Sequence, residues 1–177
     1  MEINQDLCSQ ALLFACINHD EQKMASPKVT YVAHITAVAM EAVTGILNGG
    51  MENDFNLENI IITAYLHDTI EDTEGTYDQI KTRFGKVIAD GVLALTKDSK
   101  LKKEDQMKDS IRRIKQQPKE VWVVKLADRI FNLRNKVPTW TEEKIEQYEK
   151  EARLILNELG SACPYLAKRL EKKIAEY

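Results

Sequence analysis

The segment at residues 57–70 constrains the fold of this chain more than any other part of the sequence. It is apolar on almost every side, and only Thr63 interrupts its longest apolar run, at residues 60–66. A helix that is hydrophobic all round belongs in the interior of a protein. The 177 residues include only 7 glycines and 4 prolines, which argues against a chain of strands and turns. We therefore expect an all-α fold in which other helices surround a central one.

Apolar residues recur every three or four positions in much of the remaining chain, as they do on the buried face of an amphipathic helix. Ile3, Leu7, Ala11 and Phe14 form one such stripe. The stretches at residues 18–30 and 97–103 are polar or basic, so we predict loops there. Further helices, bounded by caps and helix-stop signals, are predicted at residues 34–47, 76–85, 87–95, 118–135, 142–159 and 164–175.

Composition and organisation exclude several classes of protein. No linker or repeat divides the chain, so we predict a single domain spanning residues 1–177. A net charge of −3 argues against a nucleic-acid or membrane binder that relies on positive charge. No apolar run approaches the roughly 20 residues that cross a bilayer. The acidic N-terminus does not resemble a signal peptide, and three cysteines without metal-binding spacing favour a cytoplasmic location.

Ionisable residues follow the most apolar segment directly. His67, Asp68, Glu71 and Asp72 lie at its C-terminal end. On a continuous helix His67 and Glu71 would share one face, as would Asp68 and Asp72. Because buried charge is costly unless it is paired or bound to a metal, the cluster is a candidate site for metal binding or proton transfer. An exposed helix end that happens to be acidic is the alternative.

Two other segments offer similar groups. His34 lies near the start of a predicted helix, and Asp128 follows the apolar stretch at residues 123–127. Taken alone, His34 is typical of a structural histidine and Asp128 of an acid paired with a neighbouring cation. Together with His67 and Asp68 they could form one nitrogen and oxygen site built from three helices. Such ligands suit Mn²⁺, Zn²⁺ or Fe²⁺ better than Ca²⁺.

The order of these residues resembles the H…HD…D pattern of the HD-domain metal-dependent phosphohydrolases. The string LHDTIEDT at residues 66–73 resembles the L-H-D-x-x-E-D-T motif of the RelA/SpoT-type alarmone hydrolases. The string KLADRIFNLR at residues 125–134 resembles their K-L-A-D-R-x-x-N-x-R motif. FG at residues 84–85 and LTK at residues 95–97 also match. The likeness covers residues 12–135, and the chain resembles the stand-alone small alarmone hydrolases of the metazoan type.

The resemblance implies an HD-domain helical bundle with a Mn²⁺-dependent 3′-pyrophosphohydrolase activity on guanosine tetra- and pentaphosphate. Zn²⁺ and Fe²⁺ are less favoured ions. The substrate would be a small-molecule nucleotide, with neither nucleic acid nor membrane as a partner. By matching position, the metal ligands would be His34, His67, Asp68 and Asp128. Glu71 and Asp72 would position and activate water, Asn132 would face the nucleotide, and Tyr31 would shape the pocket entrance.

Base recognition is the least constrained part of this prediction. Met24 falls where the family has an arginine that packs on guanine, and the neighbouring Lys23 is a candidate to compensate. A lysine cannot stack as a planar guanidinium does. An adenine-containing alarmone is therefore a competing substrate. Lys97 could screen pyrophosphate charge at the pocket rim, although basic stretches of this kind are commonly solvated loops.

Two other functions stay open at this stage. The chain could be an HD-domain nucleotidase or phosphatase acting on another nucleotide, such as one resembling NADPH. It could also be a catalytically silent nucleotide-binding regulator. The presence of both Glu71 and Asp72 speaks against a silent regulator, because a sensor does not need a pair of water-activating carboxylates.

Overall fold

The fold is all-α, as the sequence predicts. The computed structural model of the chain describes residues 2–24, 28–134 and 137–177. Within these ranges the extended backbone pairing is one isolated bridge between Lys23 and Thr30. The helices are α1 (Gln5–Asn18), α2 (Val32–Asn48), α3 (Leu57–Leu66), α4 (Thr69–Asp72), α5 (Tyr77–Phe84), α6 (Lys86–Leu95), α7 (Lys103–Ile114), α8 (Lys119–Asn132), α9 (Glu142–Leu159) and α10 (Pro164–Glu176), with a short 3₁₀ turn at Gly160–Ala162.

Helix α3 is the central helix, and it contributes to two hydrophobic cores. Ile60 and Ala64 pack into a core shared with α2 and α7 to α10. Ile62 and Leu66 pack into a second core shared with α1, α5 and α6. All four side chains are buried. Helix α3 is therefore apolar all round because it packs against a core on each of two opposite faces.

The central helix ends earlier than predicted. Helix α3 stops at Leu66 and α4 begins at Thr69, so the expected continuous helix over residues 57–70 is wrong. Asp68 has φ −102° and ψ 0°, outside the α-helical range. The break separates His67 from Glu71, so these two residues do not share one continuous helix. Asp72 remains one turn from Asp68, because its N–H donates to the Asp68 carbonyl oxygen at 2.9 Å.

The helices after α6 differ from prediction at two points. Helix α7 lies in a charged segment for which no helix was predicted, and it buries Met107, Ile111 and Ile114. Helix α8 ends at Asn132, short of the end expected near Asn135, which itself lies outside the described residues. The predicted bounds of α9 agree with the structure, and those of α10 agree to within one residue. In the described parts of the chain, every helix is too short or too polar to cross a membrane.

Candidate metal centre

Four donor side chains meet where α2, the break after α3, and α8 come together. The Nε2 atoms of His34 and His67 lie 3.2 Å apart. Asp68 Oδ2 lies 3.5 Å from His34 Nε2 and 2.9 Å from His67 Nε2. Asp128 Oδ1 lies 3.6 Å and 3.8 Å from the same two nitrogens. The structure thus brings together the four predicted ligands, which are separated by up to 94 residues in the sequence.

The spacing of these atoms suits one divalent cation. Ligand atoms about 2.1 Å from a common ion lie roughly 3 Å apart when they occupy adjacent coordination positions. The distances from each histidine Nε2 to the other three donors, 2.9 to 3.8 Å, are close to this value. His34, His67 and Asp68 form the tightest group, with ligand atoms all within 4.8 Å of one another. The set of two imidazoles and two carboxylates is the chemistry that Mn²⁺, Fe²⁺ and Zn²⁺ accept. The residues present therefore fit a divalent metal.

Local contacts orient both histidine rings. His67 Nδ1 lies 2.8 Å from the carbonyl oxygen of Ala64, one turn earlier in α3. Since a carbonyl oxygen only accepts, Nδ1 carries the proton, and Nε2 faces the other donors. His34 is packed edge-on against the Phe131 ring, with centroids 5.1 Å apart. Contacts of this kind behind a ligand fix its tautomer and orientation in metal sites.

The electrostatics of the cluster favour protonated histidine between ionised acids when no metal compensates the charge. Burial opposes protonation of His67, but the carboxylates of Asp68 and Asp128 outweigh it and hold the His67 pKa well above its ordinary value. Burial also opposes ionisation of Asp68, yet His67 and His34 hold the Asp68 pKa well below its usual range. The Asp128 pKa is lowered against its own burial chiefly by the Lys125 ammonium.

Three side chains bind the two carboxylates: Tyr31 and Asn132 on the oxygens nearest the histidines, and Lys125 on the other oxygen of Asp128. The Tyr31 hydroxyl donates a hydrogen bond to Asp68 Oδ2, and burial followed by the Asp68 charge raises the Tyr31 pKa. The Asn132 amide donates to Asp128 Oδ1 at 2.6 Å, and Lys125 Nζ lies 3.1 Å from Asp128 Oδ2. Tyr31 and Asn132 were predicted to face the substrate. The structure places the polar groups of both on the predicted metal ligands.

Glu71 and Lys97 form a pair beside the cluster. Lys97 Nζ lies 3.1 Å from Glu71 Oε1, and the Lys97 backbone N–H donates to Glu71 Oε2 at 2.8 Å. Burial disfavours the charged lysine, but Glu71 outweighs it and raises the Lys97 pKa. Each Glu71 oxygen thus accepts from Lys97, which ties α4 to the loop that follows α6.

Asp72 has a different environment from Glu71. Burial, followed by the charges of Asp68 and Glu71, raises the Asp72 pKa, while a hydrogen bond from Gln22 opposes that rise. A carboxyl group with a raised pKa exchanges protons more readily near neutral pH than an ordinary surface acid. No role was predicted for Gln22 from the sequence. The available signal was its position in the polar loop before Tyr31.

Lys23 and Met24 lie in the loop between α1 and α2. Lys23 is exposed and pairs with Thr30 in the isolated bridge. Met24 is half-buried, and its N–H donates to the Val29 carbonyl oxygen at 3.0 Å. The observed contacts of both residues are therefore backbone contacts within this loop.

Comparison with known families and proteins gives consistent matches. Residues 11–163 match the family model described as HD domain. The guanosine-3′,5′-bis(diphosphate) 3′-pyrophosphohydrolase MESH1 of Drosophila melanogaster is 28% identical over 168 residues, which cover 92% of this chain and 90% of that protein. The guanosine-3′,5′-bis(diphosphate) 3′-pyrophosphohydrolase of Aquifex aeolicus is 33% identical over 145 residues, which cover 80% of this chain and 19% of that much longer protein.

A solved structure also matches over nearly the whole chain. It is a metazoan orthologue of SpoT that hydrolyses ppGpp and plays a role in starvation responses. The TM-score is 0.82 at 25% sequence identity, and the match covers 99% of this chain and 98% of that one.

Proposed function

Because this chain belongs to the HD-domain family, we propose that it is a metal-dependent hydrolase that removes the 3′-pyrophosphate of guanosine tetra- and pentaphosphate. The observation that carries the proposal is the convergence of His34, His67, Asp68 and Asp128, in which each carboxylate has an oxygen 2.9 to 3.8 Å from both histidine Nε2 atoms. Relatives that align along almost the whole chain are named for this reaction, which supports the choice of substrate.

The four converging residues would hold one divalent ion, and Mn²⁺ is the ion we propose. Such an ion, when bound, polarises phosphoryl oxygens and makes nearby water more acidic. Tyr31, Asn132 and Lys125 would fix the ligand carboxylates in place. Outer contacts of this kind set the geometry and affinity of metal sites.

The reaction requires that the attacking water lose a proton and that the departing 3′ oxygen gain one. Water forms a bond to the phosphorus of the 3′ linkage, the bond from phosphorus to the 3′ oxygen breaks, and that oxygen takes up a proton. We assign the proton transfers to Asp72, whose raised pKa suits both accepting the proton and returning it. Pyrophosphate leaves, and GDP or GTP remains.

Glu71 would serve this reaction through Lys97. Its two oxygens hold the Lys97 ammonium and backbone N–H, so the cation stays close to the cluster. A fixed cation at this place would offset the negative charge of a pyrophosphate group. Glu71 also lies beside Asp72 and contributes to its raised pKa.

The nature of the base is the open part of the substrate. The Met24 thioether offers no hydrogen-bond donor and can pack against either purine. An adenine-containing alarmone is therefore the second candidate substrate. We also propose that the chain acts as one domain, since α3 joins both cores, and that it works in the cytoplasm, where its three free thiols would stay reduced.

The decisive experiment is product analysis with purified protein, Mn²⁺ and a panel of ppGpp, pppGpp, ppApp and NADPH. Pyrophosphate together with GDP or GTP supports the proposal, whereas release of inorganic phosphate alone indicates a phosphatase. Asp68→Asn and Asp128→Asn should lose both turnover and bound metal. Asp90→Asn, which alters an acid paired with Lys86 on the surface, is the matched control and should keep both.

A further inference from the structure

His19 is a buried histidine that the proposed reaction does not use. It caps the C-terminal end of α1 and is 2% exposed. Within the described parts of the chain its Nε2 atom is buried without a hydrogen-bond partner. A buried polar atom in that state costs free energy, so a residue of this kind calls for an explanation. Two sets of contacts indicate what the His19 side chain does.

The first set links His19 to Asp68. The His19 ring stacks on the Tyr31 ring, with centroids 4.9 Å apart and planes at 30°. Tyr31 in turn packs against His34 at 4.9 Å, and its hydroxyl donates to Asp68. The three rings form a column that begins at His19 and ends at a predicted ligand. Tyr31 is therefore held against Asp68 from behind by the His19 imidazole.

The second set links His19 to Asp72. His19 Nδ1 lies 2.6 Å from Gln22 Oε1. Since an amide oxygen only accepts, Nδ1 donates this bond, and the contact fixes which way the Gln22 amide faces. The amide NH₂ of Gln22 is then the group available to Asp72, and the interaction with Gln22 lowers the pKa of that acid. The backbone carbonyl oxygen of Gln22 also accepts a hydrogen bond from the Tyr31 backbone N–H at 2.9 Å, which joins the two sets of contacts.

We propose that His19 is a positioning residue that holds Asp68 through Tyr31 and Asp72 through Gln22. The Asp72 half of this inference rests on the proposed function, because its effect is seen in turnover. The effect on Asp68 is measured as Mn²⁺ affinity, which requires no substrate. One imidazole thus aligns a metal ligand and a proton-transfer group from a position that touches neither.

The test compares four variants by Mn²⁺ titration and by kcat and KM for ppGpp. Tyr31→Phe should lower Mn²⁺ affinity about tenfold, the usual loss when a contact behind a ligand is removed. Gln22→Leu should leave that affinity unchanged and lower kcat about tenfold with KM unchanged. His19→Leu should show both losses. His19→Asn, whose amide can replace the Nδ1 donor but not the ring, should recover kcat and not metal affinity.

Coupling between positions separates this role from a general loss of stability. Combining His19→Leu with Tyr31→Phe should cost about tenfold in Mn²⁺ affinity, and not the roughly hundredfold of independent sites, because both act on Asp68. Ser110→Ala is the control. It removes another buried hydrogen bond, to the Ala94 carbonyl oxygen at 2.9 Å, and should change neither metal affinity nor kcat.

Each outcome bears on the inference. If folded His19→Leu binds Mn²⁺ as tightly as the wild-type protein, the Asp68 half of the inference is overturned, and if it keeps the wild-type kcat, the Asp72 half is overturned. If that variant does not fold, His19→Asn decides, and wild-type metal affinity there overturns the Asp68 half. If the wild-type protein does not hydrolyse ppGpp, the proposed function is refuted, and the Mn²⁺ titrations still decide whether His19 acts through Tyr31.

Discussion

Replacing Lys125 by methionine should destabilise the metal-free protein by about 3 kcal/mol. The Lys125 side chain is 8% exposed, and its Nζ lies 3.1 Å from Asp128 Oδ2. Methionine keeps much of the apolar stem and removes the ammonium group, which leaves a buried carboxylate without its strongest cationic partner. Removing one partner of a buried pair costs about 3–5 kcal/mol, and we expect the lower end because protonated His67 still compensates part of the charge.

The assay is calorimetric unfolding in the presence of a chelator. For a protein of 177 residues, a loss of about 3 kcal/mol corresponds to a fall in melting temperature of roughly 6–12 °C. Saturating Mn²⁺ should reduce the difference between variant and wild type, because the ion supplies the positive charge that Asp128 has lost. The stabilisation from a bound ion grows with its concentration relative to its Kd.

Lys86→Met is the matched control for this prediction. It makes the same change in the exposed pair with Asp90, where Lys86 is 69% exposed. Surface pairs of this kind contribute less than about 1 kcal/mol. Equal melting temperatures for the two methionine variants would refute the argument that burial makes the Lys125 contact strong.

Three further predictions follow from contacts around the cluster and in the core. Asn132→Ala should lower Mn²⁺ affinity about tenfold, because the amide that orients Asp128 is lost; a higher KM with unchanged metal affinity would instead place Asn132 on the nucleotide. Mn²⁺ binding should weaken as pH falls below the raised pKa of His67, with roughly one proton released per ion, because His67 stays protonated there until metal displaces the proton; calorimetry that detects no proton release would contradict this. In the metal-free protein that proton stabilises the fold, fully below the ordinary pKa of 6.5, and the contribution is lost as pH rises through the elevated value. Gly45→Ala should cost about 1–3 kcal/mol of unfolding free energy, since its Cβ would lie 2.4 Å from Leu166 Cδ2; a melting temperature equal to wild type would show that α2 and α10 can separate without penalty.

The sequence was sufficient to predict the all-α fold and the four converging donors. An apolar helix followed directly by His67 and Asp68 is an unusual arrangement, and the longer motifs around it make the prediction specific. The break after Leu66 could not be predicted in the same way. Residues 66–69 contain neither glycine nor proline, and the side chains of His67 and Asp68 are held by contacts from α2 and the loop before it. Those contacts exist only once the chain has folded.

Helix α7 is a different case, because its signal was present in the sequence. Met107, Ile111 and Ile114 recur at helical spacing, and all three are buried in the structure. The charged residues between them obscure this stripe, and no helix was predicted there. The Asn132 and Tyr31 contacts could not be read from spacing at all, since a side chain at the edge of a site can face either the substrate or a ligand. That choice depends on side-chain torsions that the fold determines.

The two-sided burial of α3 has a consequence for how the protein responds to local opening. Hydrogen exchange at the backbone amides of a helix that faces two cores requires both cores to separate, so the amides of Ile62 and Ala64 should exchange only through global unfolding. His67 and Asp68 follow this helix directly, so we expect these two residues to move little while the two cores stay packed. Local opening at Tyr31 would release its hydrogen bond to Asp68, while the amides of Ile62 and Ala64 stay protected.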